Sequence, residues 1–171
     1  MKIRFLGGLI LIFATGNMGF AIARSIKERV ALLIRLQGLL QFLITEIDFA
    51  VTLFPEALTK VGQSLGPETN AFCHQVVENL QAGVPLSVAW ERALLILVDN
   101  SPLYPDDVKP LLSLAPIIGL TDRQDQLRHL KLAQEHLRQR QLEVEREANK
   151  NQKLWRYLGV LSGLVAVLIL I

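Results

Sequence analysis

The sequence predicts an all-α protein: a helical bundle with two long helices and several short ones, flanked by a membrane helix at each end. Apolar residues recur with alternating spacings of three and four over two long segments, the pattern of a helix with one buried face. No stretch alternates with period two for long enough to form a strand. Residues 5–23 and 158–171, close to the two ends, contain no charged residue. These observations together fix the predicted class.

Composition supports a division into a charged helical domain and two apolar ends. The hydrophobic fraction of 51% and the mean hydropathy of +0.34 are both high for a soluble domain. Two of the 18 Lys and Arg residues precede residue 24, so the remaining 16 balance the 16 Asp and Glu of residues 24–156. A balanced domain lacks the basic face that phosphate binding requires, and nucleic acid is therefore not expected as a partner.

Residues 1–23 are predicted to form an N-terminal transmembrane anchor. The uncharged run, residues 5–23, approaches the roughly 20 residues that a membrane-spanning helix needs. A cleaved secretory signal is the alternative, because two basic residues precede the run and Ala21-Ile22-Ala23 has the form of a cleavage site. The positive charges of Arg24, Lys27 and Arg29 follow at once and resist translocation, which favours a retained anchor.

A long helix is predicted from Ser25 to Pro55. Proline ends a helix but is tolerated in the first turn of the next one, so Pro55 marks both boundaries. The apolar seam of this helix alternates spacings of four and three: Ile26, Val30, Leu33, Gln37, Leu40, Ile44, Ile47 and Val51.

Four short helices are predicted next, separated by glycine and proline. Their expected ranges are Glu56–Leu65, Glu68–Ala82 with a stop at Gly83, a helix capped by Ser87, and the proline-bearing Asp106–Ile118. Their expected core residues are Phe72, Val76 and Leu80, followed by Ala89, Trp90, Ala93, Leu94 and Leu97.

The last third of the chain predicts the second long helix and a membrane tail. Thr121 and Gln124 have the spacing of a capping box, and no Gly or Pro interrupts the segment from there to residue 158. The seam of this helix starts with leucines and becomes polar further on: Leu127, Leu130, Gln134, Leu137, Gln141, Val144, Ala148, Asn151 and Trp155. Residues 157–171 are predicted as a C-terminal transmembrane tail.

Basic residues flank each apolar run on the side that lies toward the middle of the sequence. By the positive-inside rule, residues 24–156 are therefore predicted to form a cytoplasmic domain. The side chains expected at the membrane interface are those that snorkel or carry an amphipathic ring: Arg24, Lys27, Trp155, Arg156 and Tyr157.

Neither an enzyme activity nor a cofactor is predicted from the sequence. HExxH, Walker A and GxGxxG patterns are missing from it. The single cysteine, Cys73, excludes an intrachain disulfide and a zinc cluster and is interpreted as a core residue. His129 and His136 share one helix face and are interpreted as surface residues, since basic residues flank both of them.

Several stretches, in this order and spacing, resemble the stage III sporulation protein AB family of endospore-forming Firmicutes. They span essentially the whole chain: Gly19-Phe20, Glu46-Ile47, Phe54-Pro55-Glu56-Ala57-Leu58, Gly83 through Ala89-Trp90-Glu91, residues 118–126 and residues 151–163.

The resemblance implies a component of a secretion-like channel between mother cell and forespore, with its helical domain in the mother-cell cytoplasm. The family is similar to cytoplasmic domains of the inner-membrane platform protein of type II secretion and type IV pili. Those domains contact a secretion ATPase, and the family's AA protein resembles such an ATPase. The expected partners are this ATPase, other stage III channel proteins, membrane lipid and further copies of the chain.

On this basis the expected function is that of a membrane-anchored assembly protein without catalytic activity. Polar positions within otherwise patterned segments are the candidates for partner contact: Glu46, Asp48, Arg123, Asp125 and Arg128. An exported helical binding domain, released by signal cleavage and tail-anchored outside the cytoplasm, is the alternative.

Overall fold

The part of the chain that the structure describes is built from six α-helices. The computed structural model describes the backbone of residues 2–49, 54–118 and 122–170, and the side chains of residues 24–49, 54–118 and 122–149. No strand occurs in these ranges, which confirms the all-α class. The helices are α1 (Lys2–Phe49), α2 (Phe54–Ser64), α3 (Pro67–Gln81), α4 (Leu86–Asp99), α5 (Pro105–Leu112) and α6 (Arg123–Leu170).

The chain divides into two compact units. Residues 29–142 form one unit, and residues 1–28 with residues 143–171 form the other. The side chains of the predicted anchor, residues 1–23, and of the predicted tail, residues 157–171, lie outside the described residues.

One helical segment among the described side chains, Arg24–Phe49, has the length and apolarity to cross a membrane, with a mean hydropathy of 1.6. Its apolar face is buried within the unit of residues 29–142, at Leu32, Leu33, Leu36, Leu39, Leu40, Leu43 and Ile44. A core helix passes the same composition test as a membrane helix, because both present apolar surface that must leave water. The buried leucines therefore account for the hydropathy of this segment.

Within residues 29–142 the two long helices run antiparallel. Polar contacts join them, and the residue number falls along α6 as it rises along α1. Gln37 bonds Gln141 with an N···O distance of 2.8 Å, Gln41 bonds Gln134 at 3.1 Å, and Asp48 pairs with Arg123 at 2.9 Å. Gln37, Gln134 and Gln141 occupy seam positions that the spacing predicts, and Leu130 and Leu137 of the same seam are buried.

Trp90 holds the short helices together. Its indole Nε1 donates a 2.9 Å hydrogen bond to the carbonyl of Leu111, which joins α4 to the end of α5. Its ring meets Phe72 of α3 edge to face, with centroids 5.0 Å apart and an interplanar angle of 83°. All five residues predicted for the core of α4 are buried: Ala89, Trp90, Ala93, Leu94 and Leu97.

Two of the predicted boundaries of the short helices are wrong. Helix α4 begins at Leu86 with Pro85 at the N-cap, so Ser87 lies inside the first turn and does not cap it. Helix α5 ends at Leu112 instead of Ile118. Pro116 lacks the N–H that would bond the Leu112 carbonyl, so that carbonyl instead accepts from Ala115 at 3.1 Å in a tighter turn.

Helix α6 is capped by Asp122. Its Oδ1 accepts the backbone N–H of Asp125 at 2.9 Å, the geometry of an N-cap carboxylate. The capping residue that the sequence predicts, Thr121, lies outside the described residues.

Two glycines have defined roles in the connection of the short helices. Gly83 has a φ of +81°, and the N–H of Val84 returns to the Asn79 carbonyl at 3.0 Å, which confirms the predicted stop of α3. Gly62 of α2 allows close approach to α3, since a Cβ at this position would lie 2.9 Å from the Cβ of Cys73 and 3.3 Å from the Cα of Asn70.

We expect Gly62→Ala to lower the free energy of unfolding by up to about 2 kcal/mol. The added methyl would push α2 away from α3, and overpacking of this kind costs about 1–3 kcal/mol, more than the roughly 1 kcal/mol that alanine gains in helix propensity. The measurement is urea unfolding followed by circular dichroism. Gly38→Ala is the matched control: its Cβ would lie 3.3 Å from the mobile end of Leu65, so stability should be unchanged or higher. Equal effects of the two substitutions would contradict the proposed close packing.

Candidate functional site

The structure brings two of the five predicted contact residues together. Asp48 lies near the end of α1 and Arg123 begins α6, and their Oδ1 and guanidinium nitrogen are 2.9 Å apart. Arg123 also donates to the backbone carbonyl of Asp48. Each side chain is 55% exposed. An exposed pair contributes only about 0–1 kcal/mol, so this one is chiefly a surface feature at the end of the helix pair.

The other three candidates do not join this pair. Asp125 Oδ1 lies 3.6 Å from His129 Nε2 on its own helix, and Arg128 is exposed. Glu46 is half-buried, and its Oε2 is buried without a hydrogen-bond partner among the described residues. Since Glu46 lies two positions from Asp48 on α1, the two carboxylates point to different sides, as the sequence predicts.

The structure describes the side chains of two of the five predicted membrane-interface residues. Arg24 and Lys27 are exposed, and Arg24 Nε lies 2.8 Å from Glu28 Oε1 one turn further on. Trp155, Arg156 and Tyr157 lie outside the residues whose side chains are described.

A buried charged cluster, which sequence reasoning missed, lies at the other end of the helix pair. The Asp107 side chain is fully buried at the start of α5. Arg29 Nε donates to its Oδ2 at 2.7 Å and another Arg29 nitrogen donates to its Oδ1 at 2.8 Å. Arg140 Nε also donates to Oδ1 at 2.9 Å, and the backbone N–H of Tyr104 donates to Oδ2 at 2.8 Å. The cluster therefore ties α1 and α6 to α5.

Four donors keep the buried carboxylate charged. Burial by itself would raise the pKa of Asp107, but the hydrogen bonds from Arg29, the Tyr104 N–H and Arg140 outweigh it and hold the pKa below its ordinary value. Arg29 is only 7% exposed and lies over the Tyr104 ring, 4.1 Å from its centroid. The sequence shows Arg29 only as one charge beside the predicted anchor. Asp107 lies 78 positions from Arg29 and 33 positions from Arg140 along the chain.

Few side chains in the described part of the chain are suited to metal binding or nucleophilic catalysis. Its His, Cys, Asp and Glu side chains include no group of three that could hold a metal ion. Cys73 is buried, which confirms its interpretation as a core residue, and burial raises the pKa of its thiol to about 12. A thiol this deep and this weakly acidic is a poor nucleophile at neutral pH.

Comparisons of the sequence and the structure with known proteins all indicate one family. The family model described as stage III sporulation protein AB matches residues 4–171. Stage III sporulation protein AB of Bacillus subtilis (strain 168) is 28% identical over 169 residues, which cover 98% of this chain and 99% of that relative. A solved structure of stage III sporulation protein AB superposes with a TM-score of 0.68 at 26% identity, covering 72% of this chain and 98% of that one.

We expect Asp107→Asn to lower the free energy of unfolding by about 3–5 kcal/mol, because it leaves two guanidinium groups without their carboxylate in a buried site. Asp106→Asn is the matched control. Asp106 is exposed and pairs with the exposed Lys109 on the same helix, so its loss should change stability by no more than about 0.5 kcal/mol. Urea unfolding measures both, and equal losses would contradict the role of the cluster.

The contribution of Asp107 should also depend on pH. A lowered folded-state pKa gives stability that is fully present above the ordinary carboxyl pKa of about 3.9 and is lost as the pH falls through the folded-state value. The difference in unfolding free energy between the natural chain and Asp107→Asn should therefore be constant from about pH 5 to 7 and shrink below about pH 4. A difference that persists undiminished at pH 2 would contradict this.

Proposed function

The chain belongs to the stage III sporulation protein AB family, and we propose that it is a membrane-anchored, non-catalytic component of a secretion-like channel between mother cell and forespore. In this proposal residues 1–23 and 157–171 are membrane segments, in the mother-cell or outer forespore membrane. Residues 24–156 form a helical domain in the mother-cell cytoplasm. The domain resembles those of type II secretion and type IV pilus platform proteins.

The observation that carries the proposal is the arrangement of the α1–α6 pair within residues 29–142. Arg29 and Arg140 bond the same carboxylate, so the chain enters and leaves this unit at one end of the pair. Asp48 lies nineteen residues beyond Arg29 on α1, which is about 28 Å at 1.5 Å per residue. Asp48 and Arg123, at the other end of the pair, are each 55% exposed, and we propose this end as the one free to meet a partner.

At this free end we place the contact with a secretion-type ATPase, the AA protein. The exposed charges of Asp48, Arg123 and Arg128 suit such a contact, because charged groups at an interface steer encounter and suppress wrong partners. Glu46 and Asp125 lie on the same two helix ends and belong to the proposed surface. Other channel proteins, further copies of this chain and membrane lipid complete the set of proposed partners.

A non-catalytic role accords with the chemistry of the site. The one thiol is buried and weakly acidic, and the buried carboxylate of Asp107 is bonded by Arg29, Arg140 and the Tyr104 N–H. Neither group is placed to act on a substrate.

Topology is tested by labelling a new surface thiol with a membrane-impermeant maleimide. We expect Gln139→Cys, at an exposed position of α6, to be labelled only after lysis, because the domain lies in the cytoplasm. The natural chain is the control, since buried Cys73 should stay unlabelled in both samples until the protein is denatured. Labelling of the new cysteine in intact cells would overturn the proposal and favour the exported binding domain.

Docking is tested by charge reversal. We expect Arg128→Glu to weaken binding of the full chain to the purified AA protein at least about tenfold, equivalent to about 1.4 kcal/mol, without changing stability. Arg92→Glu is the matched control, because Arg92 is also exposed but lies on α4. Affinity is measured by titration of the ATPase against the detergent-solubilised protein. Equal affinities of both variants and the natural chain would place the contact elsewhere.

A further inference from the structure

A groove between α5 and α6 is lined by side chains that the proposed ATPase contact does not include. Its volume is about 250 Å³, and it lies entirely within residues 29–142. The residues that line it are Lys109, Pro110 and Ser113 at α5, and His129, Leu132, Ala133 and His136 on α6.

Four of the lining residues carry side-chain donors, and none of the lining residues carries a carboxylate. One of these donors, the Ser113 hydroxyl, already bonds the Pro110 carbonyl at 2.8 Å. Lys109 pairs with Asp106 at 2.6 Å, but both groups are exposed, and such a pair is held weakly enough to be exchanged. His129 lies 3.6 Å from Asp125, which is longer than a hydrogen bond. His136 has no hydrogen bond or ion pair within the described residues. The groove is therefore complementary to an acidic group.

An apolar side chain lies among these donors. Leu132 is 53% exposed, and it falls three residues after His129 and four before His136, so the three share one face of α6. A ligand that matches the groove thus carries an apolar group next to its acidic one. The volume is below the roughly 300–1,000 Å³ typical of small-molecule sites, and it fits the side chains of a docked segment better than a free metabolite.

We propose that this groove receives an acidic segment of a partner protein. A carboxylate of the segment is held by Lys109 and the histidine N–H groups, and a neighbouring apolar side chain packs on Leu132. None of the groove residues belongs to the proposed ATPase surface, and the test at Leu132 and Lys109 is distinct from the charge reversal at Arg128.

The experiment places a photo-crosslinking amino acid at Leu132 of the full chain in sporulating cells and identifies the captured peptide by mass spectrometry. Leu95 on α4 is the matched control position, since it is exposed to the same extent. We expect capture at Leu132, and not at Leu95, of a segment of another protein that contains Asp or Glu. The captured segment, made as a synthetic peptide, should bind the purified chain at least about tenfold more weakly after Lys109→Glu, a loss of about 1.4 kcal/mol.

Each other outcome overturns the proposal. These are the absence of any product at Leu132, a captured segment without acidic residues, a phospholipid adduct, a second copy of this chain, and an affinity that Lys109→Glu leaves unchanged. Circular dichroism of the Lys109→Glu variant establishes that it is folded. Lys109 is exposed, so the fold should tolerate the substitution.

Discussion

The carboxylate of Asp107 is the point at which the helices of residues 29–142 are fixed to one another. It lies at zero exposure and accepts hydrogen bonds from α1, from α6 and from the backbone at the start of its own helix. A buried ion pair contributes little net stability compared with apolar residues of the same size, but the loss of one member is costly. The main effect of the Asp107 cluster is therefore on the geometry of the helices and not on net stability. The positions of Arg29 and Arg140 along their helices are set by one shared acceptor.

Glutamines extend this constraint along the α1–α6 seam. Gln37 and Gln141 bond each other, and Gln134 reaches Gln41, in a contact whose other members are largely leucine. A pure leucine seam tolerates sliding of one helix along the other, whereas an amide that leaves its partner forfeits a hydrogen bond. The polar positions thus select one register. In that register Asp48 meets Arg123 at the far end, and the proposed contact surface depends on it.

Helix α6 contributes to both proposed interaction sites, and the two sites differ in chemistry. The end of the helix pair presents mixed charges on exposed side chains, which suits a contact that forms and dissolves during assembly. The groove against α5 offers donors around an apolar side chain and suits one acidic segment. In the proposed function the protein acts through such surfaces. Two of them on one long helix would let it hold two partners at once.

The sequence by itself determined the features that follow from local periodicity and local turn chemistry. Alternating spacings located both long helices and their seams, and the five buried residues of α4 and the glycine stop at Gly83 were also evident from the pattern. Of the five contact candidates, only Asp48 and Arg123 came together. Tertiary structure decided the rest. Asp106 and Asp107 are equivalent in sequence, yet one is exposed beside Lys109 and the other is buried between two arginines. Which of two neighbouring carboxylates turns inward depends on donors 33 and 78 residues away, and no local pattern encodes a contact over that distance.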